Sequence, residues 1–353
     1  MQGDDATVAI ATDDELRWDR LEAFLRQELD VDGAFGTRQF SNGAANLTFL
    51  VRFGDRELVV RRPPFGVIAP GAHDMGREHR VLSRLWREFD RAPRALVFCD
   101  DHEVFGADFF VMERRPGVVI QGDLPADMVG LPDVGRRVGL AVVDAMADLH
   151  LVDPAACDLD SLGRPDGFVD RQVSGWHHRW SLSKSDASPS LMDEVGERLA
   201  ETLPPAGEVS LVHNDLKLDN CAFLPDQPDR AVAVFDWDMT TRGNPLVDLG
   251  TLLNYWPDPG DGEDVKRGSH DGMSEMGLPT RAEVVERYAE RTGFDVSTAP
   301  WFEAFAQWKT AVVFQQLHRR WLDGDSADDR HAEMGDTVDL LAASASELLD
   351  SLS

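Results

Sequence analysis

The stretch His213-Asn214-Asp215-Leu216-Lys217-Leu218-Asp219-Asn220 narrows the folds open to this chain more than any other, because of what flanks it. It reads H-x-D-x-x-x-x-N, with a lysine two places after the aspartate. A short apolar run, Val209 to Val212, precedes it. A second run, Val232 to Phe235, follows and ends in Asp236-Trp237-Asp238, sixteen residues beyond Asn220. Turn residues between the runs predict a hairpin, which would bring Asn220 and Asp236 together. A lone H-x-D or D-x-D is common in unrelated chains. The two in this order, each beside a short apolar strand, form a specific pattern.

These residue types suit one chemistry. Phosphoryl transfer asks for little covalent help. It needs an acceptor hydroxyl aimed in line and neutralisation of charge around the moving group. Asp215 can accept the hydroxyl proton, Asn220 offers a neutral oxygen to magnesium, and Lys217 can set a positive charge beside the γ-phosphate. His213 is suited to bracing the loop. A carboxylate at a strand end, as at Asp236, suits a magnesium ion that bridges phosphates.

The rest of the chain reads as strands first and helices after. Glu15 to Glu28 has helical apolar spacing. Thr37 to Phe40, Leu47 to Phe53 and Leu58 to Arg62 read as strands, the last two joined by a Gly54-Asp55 hairpin. Asp74 is a candidate cap for a helix running to about Glu88. Ala95 to Cys99 and Phe109 to Glu113 complete five strands. Arg115-Pro116-Gly117 reads as a connector. Beyond it the predicted helices are Asp133 to His150, Asp170 to Leu182, Leu191 to Leu203, Asp248 to Tyr255, Arg281 to Thr292, Trp301 to Leu322 and Asp336 to Leu352. The expected fold is therefore α+β: an N-terminal lobe with a five-stranded antiparallel sheet and one helix, joined to a helical C-terminal lobe. The expected organisation is a loose extension and helix over 1–34, a nucleotide-binding lobe over 35–115, and a lobe over 116–353 with the catalytic loop and acceptor pocket. A cleft between two such lobes is the expected ligand site.

At this point the chain resembles the aminoglycoside phosphotransferase superfamily of small-molecule kinases, which have the two-lobed protein-kinase-like fold. It is most similar to the branch related to kinase domains fused to some acyl-CoA dehydrogenases. The resemblance covers nearly all of residues 35 to 325. It rests on Ser41-Asn42-Gly43-Ala44-Ala45-Asn46, Leu58 to Pro64, Gly76 to Leu82 and Phe110 to Glu113. Gly163 to Phe168 with Arg171, Gln172 and Trp176 adds to it, as do Asp236-Trp237-Asp238 and Gly243 to Gly250. The resemblance implies ATP and Mg2+ as cofactors, Asp215 as the catalytic base, and Asn220 and Asp236 as magnesium ligands. It implies phosphate contacts from Ser41, Asn42 and Gly43, and a pairing of Glu78 with the basic residue of the third strand. Met112, Glu113 and Arg114 would be the hinge that receives adenine, and Asp248 would brace the catalytic loop. It also implies a small-molecule hydroxyl acceptor, with an acyl-CoA dehydrogenase-like enzyme as a partner.

Two departures stand out. No lysine precedes Lys184, so the usual strand lysine is replaced by Arg61 or Arg62. Strand alternation sends these to opposite faces, and Arg61, two residues after Val59, is assigned to the cleft. Residues 41 to 46 hold a single glycine, which leaves few backbone N–H groups for phosphates. Other residues stay open between two readings. Trp176 and Trp180 suit core packing or substrate stacking. Glu303, Trp308, Lys309 and Gln315 suit a helical core or an acceptor pocket. His150 reads as a cap or turn residue.

Composition excludes several alternatives. A formal net charge of −29 disfavours nucleic acid and anionic membrane surfaces as partners. No apolar run approaches the ~20 residues of a membrane span. Three cysteines without CxxC spacing disfavour a disulfide framework or zinc site and fit a reducing cytoplasm. The four lysines against 31 arginines fit a GC-rich coding bias; a high-salt cytoplasm or an acidic groove for a cationic acceptor are the other readings. Three functional rivals follow: an aminoglycoside O-phosphotransferase, a nucleotide-binding pseudokinase acting through interactions, and a protein kinase. The last lacks an APE-like segment after Asp236.

Overall fold

The computed structural model describes residues 7–8, 16–40, 46–65, 74–185, 188–259, 261, 270–326 and 328–352. Its first part is a sheet in the order β1-β2-β3-β4-β6-β5, with every neighbouring pair antiparallel. The strands are β1 (Thr7–Val8), β2 (Phe35–Phe40), β3 (Leu47–Phe53), β4 (Arg56–Arg62), β5 (Ala95–Cys99) and β6 (Phe109–Glu113). The sheet has six strands, not five. The extra strand lies in the segment expected to be loose. Thr7 pairs with Phe40, and the Arg38 guanidinium donates to the Thr7 hydroxyl and carbonyl at 2.7 and 2.8 Å. Two residues are too few to show an alternating pattern.

Period-2 alternation sorts the sheet into two faces. Phe49, Val51, Leu58, Val60, Phe109 and Val111 pack against Leu21 and Leu25 of α1 (Trp18–Leu29). Val59, Phe110 and Met112 face the other way, toward Val81, Leu82 and Leu85 of α2 (Met75–Leu85). The Asp74 carboxylate caps α2 by accepting from the Arg77 N–H at 2.9 Å. The helix stops at Leu85, three residues short of expectation, and the chain continues in turns. At the β3–β4 hairpin Gly54 takes a φ of 56°, which a residue with a side chain adopts only under strain. A one-turn helix, α3 (His102–Phe105), was not foreseen; Asp101 caps it.

The second face of the sheet merges with the core of the helical part. After β7 (Val118–Val119) come α4 (Val134–His150), α5 (Phe168–Ser183) and α6 (Ser190–Glu201). β8 (Ser210–Val212), β9 (Cys221–Leu224), β10 (Gln227–Val234) and β11 (Thr241–Gly243) form two small antiparallel sheets, β10-β9-β7 and β11-β8. Helices α7 (Leu246–Asn254), α8 (Arg281–Thr292), α9 (Ala299–Leu322) and α10 (Arg330–Asp350) complete the chain. Gly250 lets α7 approach α9: a Cβ there would lie 2.4 Å from the Phe302 carbonyl carbon. Among the described residues no helix is long and apolar enough to cross a membrane.

Candidate active site

The predicted hairpin is β9–β10, and it does what the motif spacing required. The Phe235 N–H donates to the Asn220 carbonyl at 2.8 Å, so Asp236 begins beside Asn220. Asp236 takes a positive φ of 67°, as does Asn214 at 68°, in the left-handed region that Asn and Asp enter more readily than most residues.

The catalytic-loop segment is held from beneath by a buried carboxylate. Asp248, in the first turn of α7, accepts the His213 and Asn214 N–H groups, each at 2.6 Å. Its third partner is His150 Nε2 at 3.1 Å, and His150 Nδ1 meets the Tyr288 hydroxyl at 2.7 Å. Burial alone would raise the Asp248 pKa. The His150 hydrogen bond, the nearby imidazoles of His150 and His213, and the His213 N–H outweigh burial and hold it below the ordinary carboxylate value. His150 is therefore not a cap or turn residue; it is a buried member of this brace. His213 Nε2 faces the Phe235 carbonyl at 2.8 Å and so carries the proton, while Nδ1 accepts from the Asp215 N–H at 3.3 Å. His213 ties the loop to the strand end below Asp236.

Above the brace the side chains converge. Asn220 Nδ2 donates to the Asp215 carbonyl at 2.7 Å and to its Oδ2 at 3.1 Å, which turns the amide oxygen away from Asp215. Lys217 Nζ lies 3.6 Å from Asp215 and 3.5 Å from Asp219, and 4.8 Å above the Tyr255 ring. Burial raises the Asp215 pKa, against the pull of Lys217, His213 and Lys309. A carboxylate shifted upward is a better proton acceptor. Although burial opposes it, the carboxylates of Asp215 and Asp219 push the Lys217 pKa upward, which keeps Lys217 charged.

The strand arginine completes the cluster. Arg61 pairs with Asp236 Oδ1 at 2.5 Å and approaches Glu78 Oε2 at 3.1 Å, the second contact angled as an ion pair, not a hydrogen bond. Arg62 points to the other face, buried, with its guanidinium donating to the Phe105 carbonyl and lying over the rings of Phe65 and Phe105. Glu78 is almost wholly buried, and its pKa is pushed up to about 7. Burial is the main cause; Arg61 pulls it down, while Asp236 and Asp238 push it up. One arginine thus faces two carboxylates, Glu78 and Asp236, and this pair is short of positive charge.

That shortfall is a test of fit for a metal. Asn220 and Asp236 offer two oxygen donors of the hard type, and Mg2+ commonly takes one or two protein oxygens and draws the rest from phosphates and water. These residues fit such an ion. Among the described residues no group of three or more His, Cys, Asp or Glu makes a self-sufficient metal cage.

Other predicted positions are placed as follows. Ser41, Asn42 and Gly43 lie outside the described residues. Met112 and Glu113 end β6, where Met112 pairs with Val59 and Glu113 with Leu58. The Glu113 N–H already donates to the Arg94 carbonyl at 3.0 Å, so that group is taken. Arg114 turns back to Glu57 at 3.2 Å. Two further arginines tie the first part of the chain to the helical part. Arg91 is buried, donating to the Ala231 carbonyl and pairing with Asp148 at 2.9 Å. Arg77 donates to the Thr240 carbonyl at 2.8 Å.

Comparison with known proteins agrees with this arrangement. Residues 36–284 match the model of the phosphotransferase enzyme family, APH. The chain belongs to that family. Curated relatives include acyl-CoA dehydrogenase family member 11 of Mus musculus, 32% identical over 93% of this chain, and family member 10 of the same species, 29% identical over 92%. The chain spans 42% and 30% of their lengths, less than half of each. Among solved structures, a Ralstonia eutropha protein provisionally named an aminoglycoside phosphotransferase superposes with a TM-score of 0.78 at 26% identity, over 95% of this chain and 99% of the other. An aminoglycoside phosphotransferase crystallised with ADP and hygromycin B superposes with a TM-score of 0.58 at 18% identity, over 92% and 98%. The fold is thus the kinase-like fold of this family.

Proposed function

We propose that this chain transfers the γ-phosphoryl group of ATP to a hydroxyl of a small molecule. The observation that carries the reading is the single cluster formed by Asp215, Asn220, Asp236, Arg61 and Glu78, drawn from the sheet, α2 and the β9–β10 hairpin. The lobe over 35–115 binds the nucleotide, with residues 1–34 as an extension whose β1 and α1 add to its sheet and core, and 116–353 carries the catalytic loop and acceptor pocket. Ser41, Asn42 and Gly43 cover the phosphates, and Met112, Glu113 and Arg114 flank adenine. ADP bound to a structural relative supports nucleotide binding.

In the reaction the Asp215 carboxylate takes the proton of the acceptor hydroxyl. The hydroxyl oxygen bonds to the γ-phosphorus as the bond to the β–γ bridging oxygen breaks, and ADP leaves with that electron pair. Asn220 and Asp236 would hold Mg2+, which when bound neutralises phosphate charge. Arg61 is positioned for the α/β-phosphates, and its planar fork suits bidentate contact. Lys217 stabilises charge on the moving group.

For the acceptor we favour a hydroxy acid or hydroxyacyl-CoA, supported by relatives named as acyl-CoA dehydrogenase family members. An acyl-CoA dehydrogenase-like enzyme is the partner that would act on the product. The second reading is an aminoglycoside acceptor, favoured by the hygromycin B complex of a fold relative and by the net charge of −29. Long-range attraction is screened beyond ~8–10 Å at physiological salt, so net charge decides little. The test is to incubate the protein with MgATP and each acceptor class and search for a phosphorylated product by mass spectrometry. A phosphorylated hydroxy acid or hydroxyacyl-CoA is expected. Efficient phosphorylation of an aminoglycoside alone would reject the preferred acceptor.

A further inference from the structure

Trp176 of α5 is buried and carries two cations on its ring. The Arg179 guanidinium lies 4.3 Å from the ring centroid, and Lys309 Nζ, from α9, lies 5.8 Å from it. Among the described residues neither cation makes a hydrogen bond or an ion pair. Several other partly buried cations have oxygen partners: carboxylates for Arg61, Arg91, Arg281 and Arg287, and backbone carbonyls for Arg77 and Arg242. Lys309 is half-buried. Ammonium groups in such positions normally reach solvent or a carboxylate.

The position of Lys309 ties it to the chemistry. The next residue on α9, Thr310, accepts from Asn254 Nδ2 at 3.0 Å, and Tyr255 is the residue after Asn254. The Tyr255 ring in turn supports Lys217, which sits 3.6 Å from Asp215. Burial lowers the Lys309 pKa, against attraction from Asp215 and Asp248 and together with repulsion from Arg179 and Lys217. Lys309 therefore stands within the field of the proposed base, on a wall built from a second helix.

Building on the phosphotransfer reading above, we propose that Lys309 and Arg179, held over Trp176, form the specificity subsite of the acceptor and bind the acyl oxygen of a hydroxy acid. The group they recognise is a carboxylate or thioester carbonyl a few bonds from the hydroxyl that Asp215 deprotonates. The phosphates of a CoA carrier lie too far along the molecule to be that group. A polycationic acceptor would meet repulsion here, which argues against an aminoglycoside on local grounds.

The experiment is steady-state kinetics with short-chain hydroxy acids, their CoA thioesters, amino alcohols of matched length and hygromycin B. Lys309→Met removes the charge and keeps the length; Lys309→Arg keeps the charge. With the acyl acceptors, Lys309→Met should raise the acceptor KM ~10-fold or more, as expected for a lost charge-assisted contact. The KM for ATP should change far less, and Lys309→Arg should recover most of the loss. A larger effect on free acids than on thioesters marks a carboxylate as the partner, and the reverse marks a thioester carbonyl. If Lys309→Met does not fold, the exposed Arg179→Gln supplies the same comparison and should also raise the acceptor KM. An unchanged acceptor KM in the folded variants would overturn the proposal. So would a wild-type enzyme that phosphorylates only hygromycin B or the amino alcohols, an outcome that leaves phosphotransfer itself standing. Absence of transfer to every acceptor would overturn both.

Discussion

Arg61 and Arg62 are adjacent and chemically identical, yet they meet different surroundings. Alternation along β4 puts Arg61 against Glu78 and Asp236 and sends Arg62 to the opposite face against Phe65 and Phe105. Arg61→Ala should therefore raise the apparent KM for ATP severalfold, whereas Arg62→Ala should leave that KM nearly unchanged and lower thermal stability. Kinetics and melting curves on both variants check this, and the reverse order would contradict the assignment of Arg61 to phosphate. Glu78 gives a second prediction. Its folded-state pKa of about 7 lies above the ordinary 4.5, so the folded protein holds the proton more tightly than the unfolded chain. The resulting stability is full below pH 4.5, is lost as pH rises toward 7, and amounts to roughly 3 kcal/mol. Glu78→Gln keeps the neutral form at every pH. Its melting temperature relative to wild type should climb between pH 4.5 and 7 and then level; a flat difference would contradict the buried, charge-crowded environment. The choice of arginine could be read from alternation alone. The shortage of positive charge around Glu78 could not, because it depends on Asp236 and Asp238 arriving from a distant hairpin.

At the scale of elements, strong periodicity was legible and weak periodicity was not. β3, β5, β6 and α8 have the bounds their patterns predict, since each buries a regular face or carries a cap, as Thr280 does for α8. β1, β7, β9 and β11 were missed or left unassigned because two to four residues cannot display a period. His150 was misread for another reason. It ends a helix in sequence, and only the approach of α7 and α8 gives it Asp248 and Tyr288 as partners. That brace is testable. Asp248 serves two loop N–H groups and a histidine from a fully buried position. Asp248→Asn replaces one acceptor oxygen with a donor and leaves a buried N–H without a partner, so it should cost ~2–5 kcal/mol in chemical denaturation. A loss within ~0.5 kcal/mol, typical of an exposed surface site, would contradict the brace.

For the whole molecule, the motif pair and the order of elements pointed to the fold before any coordinates. The family match over residues 36–284 and the superpositions agree with that reading. Net charge was the least informative feature. The −29 total suggests a cationic acceptor, while the local surroundings of Asp215 include Lys217, Lys309 and His213. The central claim is that Asp215 activates a hydroxyl for attack on MgATP, and it is most directly tested by one comparison. Wild type and Asp215→Asn are to be measured for both MgATP affinity and the rate of phosphorylated-acceptor formation. The account predicts that Asp215→Asn binds MgATP nearly as wild type does and turns over ~10²-fold or more slowly. Turnover of Asp215→Asn at the wild-type rate would contradict it.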